Sequence, residues 1–308
     1  MSAGGGTKAI IAALLANISI AIAKFVAAAF TGSSSMLAEG IHSVADSGNQ
    51  VLLLVGGKRA KRSSTKEHPF GYGRERYFYA FIVAVVLFAI GAVFSIYEGI
   101  HKLTSKEPLN DPWWAVGVLV FAIVAESFSF RTAIIESNHV RGKQSWVSFV
   151  RRAKSPELPV ILLEDLGALL GLVFALFGVS MAMITGDVVW DAVGTLMIGV
   201  LLAIIAIILA FETKSLLIGE GADPTTEDQI RTALENAPEV DRIIHMKTLH
   251  LGPEELLVAA KIAVQHDDTA AEVARGIDEA EQRIREAVPI ARVIYLEPDL
   301  DRSAKPIP

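Results

Sequence analysis

Residues 37–50, LAEGIHSVADSGNQ, place Glu39, His42 and Asp46 three and four positions apart. On a helix this spacing stacks the three side chains along one face, and Asn49 extends the row by a further turn. His42 and Asp46 together offer one imidazole and one carboxylate, half of a four-coordinate divalent-metal site. The other half has to come from elsewhere in the chain. A second acidic pair, Glu164 and Asp165, lies in LPVILLEDLGALLG. Adjacent helical residues point about 100° apart, so these two compete for one ligand position and the other pairs elsewhere. Glu126 in VAESFSFR has Arg131 five residues on as a partner for an internal ion pair, and Asp191 in VVWDAVG stands where it can cap its own helix.

These acids and the imidazole sit inside apolar stretches. The chain has 308 residues, of which 52% are hydrophobic and 20% charged, with a mean hydropathy of +0.45. That is too apolar for an ordinary soluble domain and points to a membrane protein. Six runs have the length of a bilayer-crossing helix: 9–30, 35–56, 78–100, 113–135, 158–183 and 188–211. The first carries Asn17 and Lys24 and has no small-residue cleavage site, so it reads as a retained span. The links KRAKRSSTKEHPFGYGRERY and NHVRGKQSWVSFVRRAKSPE are basic, whereas TGSSS carries no charge and TGDVVWD no Lys or Arg. By the positive-inside rule the basic links are cytoplasmic, and six spans put both termini there too. Trp113, Trp114 and Trp190 are expected at the outer interface. The basic link KRAKRSSTK faces lipid headgroups, not nucleic acid. A polar row could merely fasten helices, as Ser43 and Ser47 can. Ionisable groups at the bilayer centre cost a few kcal/mol each, however, so three on one stripe read as the lining of an ion path.

Beyond residue 213 the character changes, dividing the chain into a six-helix transport domain, 1–213, and an acidic regulatory and dimerisation domain, 214–308. From Glu220 onward there are 19 Asp and Glu against 10 Lys and Arg. The pattern there predicts helix 225–236, strand 243–251, strand 256–265, helix 269–287 and strand 291–297. Each helix starts at a Thr that can cap it, and Gly252-Pro253 separates the first two strands. Two helices on one face of a three-stranded sheet make a small α+β domain. There is no cysteine, which excludes disulfides, thiolate metal sites and cysteine nucleophiles. No nucleophile arrangement points to an enzyme.

The stretches SSSMLAEGIHSVAD, HPFGYGRERYFYA, SIYEGIHKL and ETKSLLIGEGAD resemble the cation diffusion facilitator family of divalent-metal/proton antiporters, most of all the branch containing zinc transporter nine. The resemblance covers nearly the whole chain. It implies six transmembrane helices, a ferredoxin-like cytoplasmic domain, a homodimer, and a transport site on the second and fifth spans. Carried over residue by residue, the ligands are His42, Asp46 and Asp165. Most relatives have His four residues before the last of these, where this chain has Ile161. Glu164, Glu39, Asn49 or water would complete the shell, Glu164 being preferred. One imidazole among oxygens suits zinc but leans further toward manganese or ferrous iron than two imidazoles would.

Two secondary sites of relatives look incomplete. His68 with Glu67 remains in the second link, but Tyr72 stands where some relatives have His. In the tail His245 matches a zinc-binding position, while Tyr295 and Glu297 replace a His and an Asp; His250 and His266 are nearby in sequence. The tail is therefore expected to serve folding and dimer contact.

The function expected is proton-coupled efflux of divalent metal across a lipid bilayer, with metal and protons as substrates and no resident cofactor. A free imidazole titrates near pH 6.5, so protons and metal compete for His42. The alternative is an embedded metal sensor or scaffold that binds without transporting. With no Arg- and Ser-rich transit stretch at the start, the expected location is a bacterial cytoplasmic membrane.

Overall fold

A computed structural model describes residues 3–105, 108–238, 240–265 and 267–300, with side chains from Asn17 onward. The chain divides into two compact units: Met1–Gly57 with Phe78–Lys214, and Lys58–Tyr77 with Ser215–Pro308.

The first unit is helical: α1 (Ala3–Thr31), α2 (Ser34–Ala60), α3 (Glu75–Val86), a π-helical segment (Leu87–Val93), α4 (Phe94–Ser105), α5 (Trp113–Arg141), α6 (Trp146–Arg152), α7 (Glu157–Thr185) and α8 (Val189–Ile218). From α3 to α4 the helix is continuous, Glu75–Ser105. Among the described residues four helices, Glu75–Ser105, α5, α7 and α8, are long and apolar enough to cross a membrane. The polar row, together with Lys58 and Arg59 at its end, keeps α2 out of this group. In α1 the apolar portion so described is Asn17–Thr31.

The helices pack through small residues, as helices do where burial against water offers no driving force. A Cβ added at Gly178 of α7 would lie 3.2 Å from the Gly194 Cα of α8 and 2.8 Å from the Trp190 carbonyl oxygen. Leu87, Leu119, Leu172, Ile198 and Leu202 fill the interior. Outside, Phe30, Phe121, Phe128, Ile184 and Phe211 are exposed, an apolar surface suited to lipid tails. Trp113 and Trp114 are exposed as interface anchors would be, while Trp190 packs edge-on against Phe177 at 5.8 Å. The second basic link holds a helix the sequence reading missed: α6, capped by Ser145, whose hydroxyl accepts from the Ser148 N–H at 3.1 Å.

The second unit contains α9 (Pro224–Glu235), β1 (Arg242–Gly252), β2 (Glu255–Ala263), α10 (Ala270–Ala287) and β3 (Ala291–Asp299). β2 is central, antiparallel to β1 and parallel to β3. Alternate residues of β2, Leu256, Val258, Ala260 and Ile262, are buried against Ile230 and Leu234 of α9 and Ala280 and Ile284 of α10. The link joins this unit: a Cβ at Gly73 would lie 2.6 Å from the Leu251 carbonyl oxygen, and Arg76 reaches Glu254 at 3.7 Å.

Thr269 caps α10 in a capping box with Glu272. The expectation for α9 is corrected, because its cap is Asp223, two residues before Thr225; Pro224 takes the first helical position, where no N–H is needed. Asp223 accepts from the Thr225 and Thr226 amides at 3.1 and 3.2 Å and from the Thr226 hydroxyl at 2.6 Å. Partial burial pushes this carboxyl up, but the Thr226 and Thr225 bonds outweigh it and hold it below its ordinary value of 3.8. A carboxylate favoured in the folded state stabilises above that value, and the contribution is lost as pH falls through and below it. Asp223→Ala is expected to cost about 1 kcal/mol at neutral pH, read as roughly fivefold faster hydrogen exchange of the α9 amides in the full chain. The difference from the parent should close in acid below 3.8.

Candidate metal centre

The row on α2 is positioned first by the clamp at the N-terminus of that helix. Asp191, in the first turn of α8, is wholly buried. Its carboxylate accepts from the Ser33 hydroxyl at 2.8 Å, the Ser34 amide at 2.8 Å and the Ser35 hydroxyl at 2.7 Å. The Ser34 hydroxyl also lies 2.8 Å from the Thr195 hydroxyl. An anion at the positive end of a helix satisfies amides that have no partner within it. Asp191 thus holds the start of α2, not that of its own helix as its sequence position suggested. Farther along, α1 sets the spacing, with Phe25 within 3.2 Å of a Cβ placed at Gly40.

Glu39, His42 and Asn49 are buried. Each member of the row meets a different helix or its own neighbour. Lys24 of α1, itself wholly buried, donates to the Glu39 carboxylate at 3.0 Å and to the Ser43 hydroxyl at 2.7 Å. His42 Nε2 lies 3.4 Å from Asp46 Oδ2, with side-chain exposures of 1% and 16%, so the pair is the less enclosed toward Asp46. Asn49 donates to Glu164 of α7 at 2.6 Å. Asp165 turns the other way and accepts from Ser129 of α5 at 2.9 Å. The two adjacent acids therefore diverge, as a 100° turn per residue requires.

Several buried atoms in this row have no hydrogen-bond partner: Glu39 Oε1, both ring nitrogens of His42, Asp46 Oδ1 and Asn49 Oδ1. Among the described residues no three His, Asp or Glu side chains converge closely enough to hold a metal ion. Asn49 and Ser129 draw Glu164 and Asp165 apart, and Lys24 holds Glu39. Lys24 and Ser129 are members of the site that sequence reasoning did not assign. Lys24 had a signal, since a lone ammonium in an apolar helix needs a carboxylate.

The family model described as the cation efflux transmembrane domain matches residues 10–218, and that of the cation efflux protein cytoplasmic domain matches 222–299. The chain belongs to the cation diffusion facilitator family. It is 32% identical over 260 residues to "Proton-coupled zinc antiporter SLC30A9, mitochondrial" of Homo sapiens, covering 84% of this chain and 46% of that protein. To "Metal tolerance protein C4" of Arabidopsis thaliana it is 28% identical, covering 83% of this chain and 56% of the other. To "Manganese efflux system protein MneP" of Bacillus subtilis it is 24% identical, covering 85% of each. The chain spans about half the length of the first two relatives.

The secondary positions that the facilitator resemblance raised belong to the second unit. His68 is exposed in the link and packs against Tyr72, ring centroids 4.7 Å apart. His245 is exposed on β1, in register with Lys261 of β2, which pairs in turn with Glu297 of β3. The Lys261 ammonium bonds Asp299 at 3.0 Å and Glu297 at 3.1 Å, which hold it above the usual lysine value. A protein cation thus occupies the Glu297 carboxylate. His250 is buried, its Nδ1 3.3 Å from the Gly252 carbonyl oxygen, and His266 lies outside the described residues.

Proposed function

We propose that this chain exchanges a divalent transition-metal cation for protons across a membrane, with His42 and Asp46 of α2 and Asp165 and Glu164 of α7 as the metal-binding side chains. The observation that carries the reading is the set of partnerless buried atoms on α2. Leaving such a group unpaired costs about 1–3 kcal/mol, and native proteins retain few of them. All of these atoms except one imidazole N–H are lone-pair donors. The partner they lack is an electron-pair acceptor, and a metal cation is one. His42 supplies nitrogen and the acids supply hard oxygen, a set that takes zinc and tolerates manganese or ferrous iron. Relatives named for zinc and for manganese fit that range.

Exchange follows from the ligands. A proton and a metal ion compete for the same lone pair of the imidazole, so loading one releases the other. Rocking of helices around a site near mid-membrane would present it to each side in turn. The proposed architecture is six crossings with both termini cytoplasmic, and a ferredoxin-like second unit serving a homodimer. The transmembrane-domain match over residues 10–218 and the cytoplasmic-domain match over 222–299 support that division, and the basic links support the orientation.

Reconstituted in sealed proteoliposomes under an imposed pH gradient, the full chain is expected to take up zinc, with manganese and ferrous iron behind it. Uptake has to depend on the gradient. Metal binding with no uptake of any ion would favour a sensor or scaffold, and neither binding nor uptake would overturn the metal reading.

A further inference from the structure

Lys24 is a cation built into the interior, and its position says more than that it neutralises a charge. It lies on α1, with no exposed surface, and it reaches α2 to bond Glu39 and Ser43 at 3.0 and 2.7 Å. Glu39 is three residues before His42, on the same helical face, so its carboxylate starts within one turn of that proposed ligand. The other oxygen of Glu39, Oε1, is buried without a partner and lies against Gly171 of α7, where an added Cβ would collide with it. Gly171 is six residues beyond Asp165, roughly 9 Å farther along α7. The carboxylate is therefore held in a notch away from the level of Asp46 and Asp165.

Resting on the transport reading above, we infer that Lys24 is a specificity-determining residue: it is a tethered cation that keeps the Glu39 carboxylate out of the shell of the transported ion. The chain has an isoleucine, Ile161, and no imidazole one helical turn before Asp165. One more carboxylate would make the shell oxygen-rich and favour manganese, whereas its removal leaves a shell in which the His42 nitrogen weighs more and zinc is preferred. Deleting the ammonium also adds net negative charge, which strengthens the binding of every divalent ion. The ratio of two affinities cancels that common effect and reads the shell alone.

The test is zinc and manganese affinity by competition on the purified full chain in detergent, for wild type, Lys24→Met and Lys24→Met/Glu39→Gln. Lys24→Met is expected to move the affinity ratio toward manganese by about tenfold. Adding Glu39→Gln should remove the shift, because the amide is a poorer ligand than the carboxylate it replaces. Should Lys24→Met fail to fold, Lys24→Gln keeps a donor for Ser43 without the charge and is expected to shift the ratio in the same direction. An unshifted ratio in a folded variant that binds both ions overturns the inference and leaves the transport reading standing. A shift that persists in the double variant also overturns it, since Lys24 would then act through another group. A wild type that neither binds nor transports either ion overturns both readings together.

Discussion

His42→Ala/Asp46→Ala in proteoliposomes is expected to lose gradient-driven zinc uptake by more than about 100-fold. Changing a group that merely orients a ligand costs roughly 10- to 100-fold in metal affinity or activity, and this variant removes two proposed direct ligands from one helix. The substitutions should leave folding nearly intact. Both side chains carry partnerless buried atoms, and their mutual contact at 3.4 Å is weak, so trimming them relieves as much as it removes. Asp165→Ala is expected to match the double variant, whereas Asp165→Asn should keep the Ser129 bond and still lose uptake. Substantial uptake by the double variant would sink the assignment of α2 as the ligand helix. Loss of uptake with a collapsed thermal midpoint would make the residues structural.

Asp191→Ala should be the most destabilising single change in the helical unit. The carboxylate it deletes accepts from three consecutive serines and from the Ser34 amide, all in the interior. Each donor left unpaired costs about 1–3 kcal/mol, and hydroxyls can turn elsewhere more easily than an amide can. A loss of about 3 kcal/mol is therefore expected, which lowers the thermal midpoint by roughly 6–12 °C for a unit of this size. Asp191→Asn should fall between, since its amide oxygen still accepts while its NH2 faces donors. A midpoint unchanged in Asp191→Ala would mean that α2 is held by other contacts. The same measurement bears on transport, because α2 carries the row that Asp191 anchors two to three turns away.

Much of the fold was legible because it rests on local pattern. Apolar runs of about twenty residues mark long helices, and alternating burial on β2 follows from alternation in its sequence. The stripe Glu39–His42–Asp46 was legible for the same reason, being a consequence of helical spacing. Boundaries and caps were less so: Asp223 rather than a Thr begins α9, and α6 lay hidden in a link read only for its charge. α2 itself is less apolar than the four long helices, since its polar row lowers its hydropathy.

The sequence by itself determined the membrane character, the division near residue 214 in composition and charge, the row of ionisable groups, and the family resemblance. Only the tertiary structure decided the partners. Asp191 clamps serines more than 150 residues away, Lys24 takes Glu39 across a helix interface, and Glu164 and Asp165 part toward Asn49 and Ser129. The physical reason is range. Periodicity and capping depend on bonds within a few residues, whereas the identity of a buried charge's partner depends on which helix faces brings to it. That is set by small residues such as Gly171, Gly178 and Gly194, at close approaches that no local pattern announces.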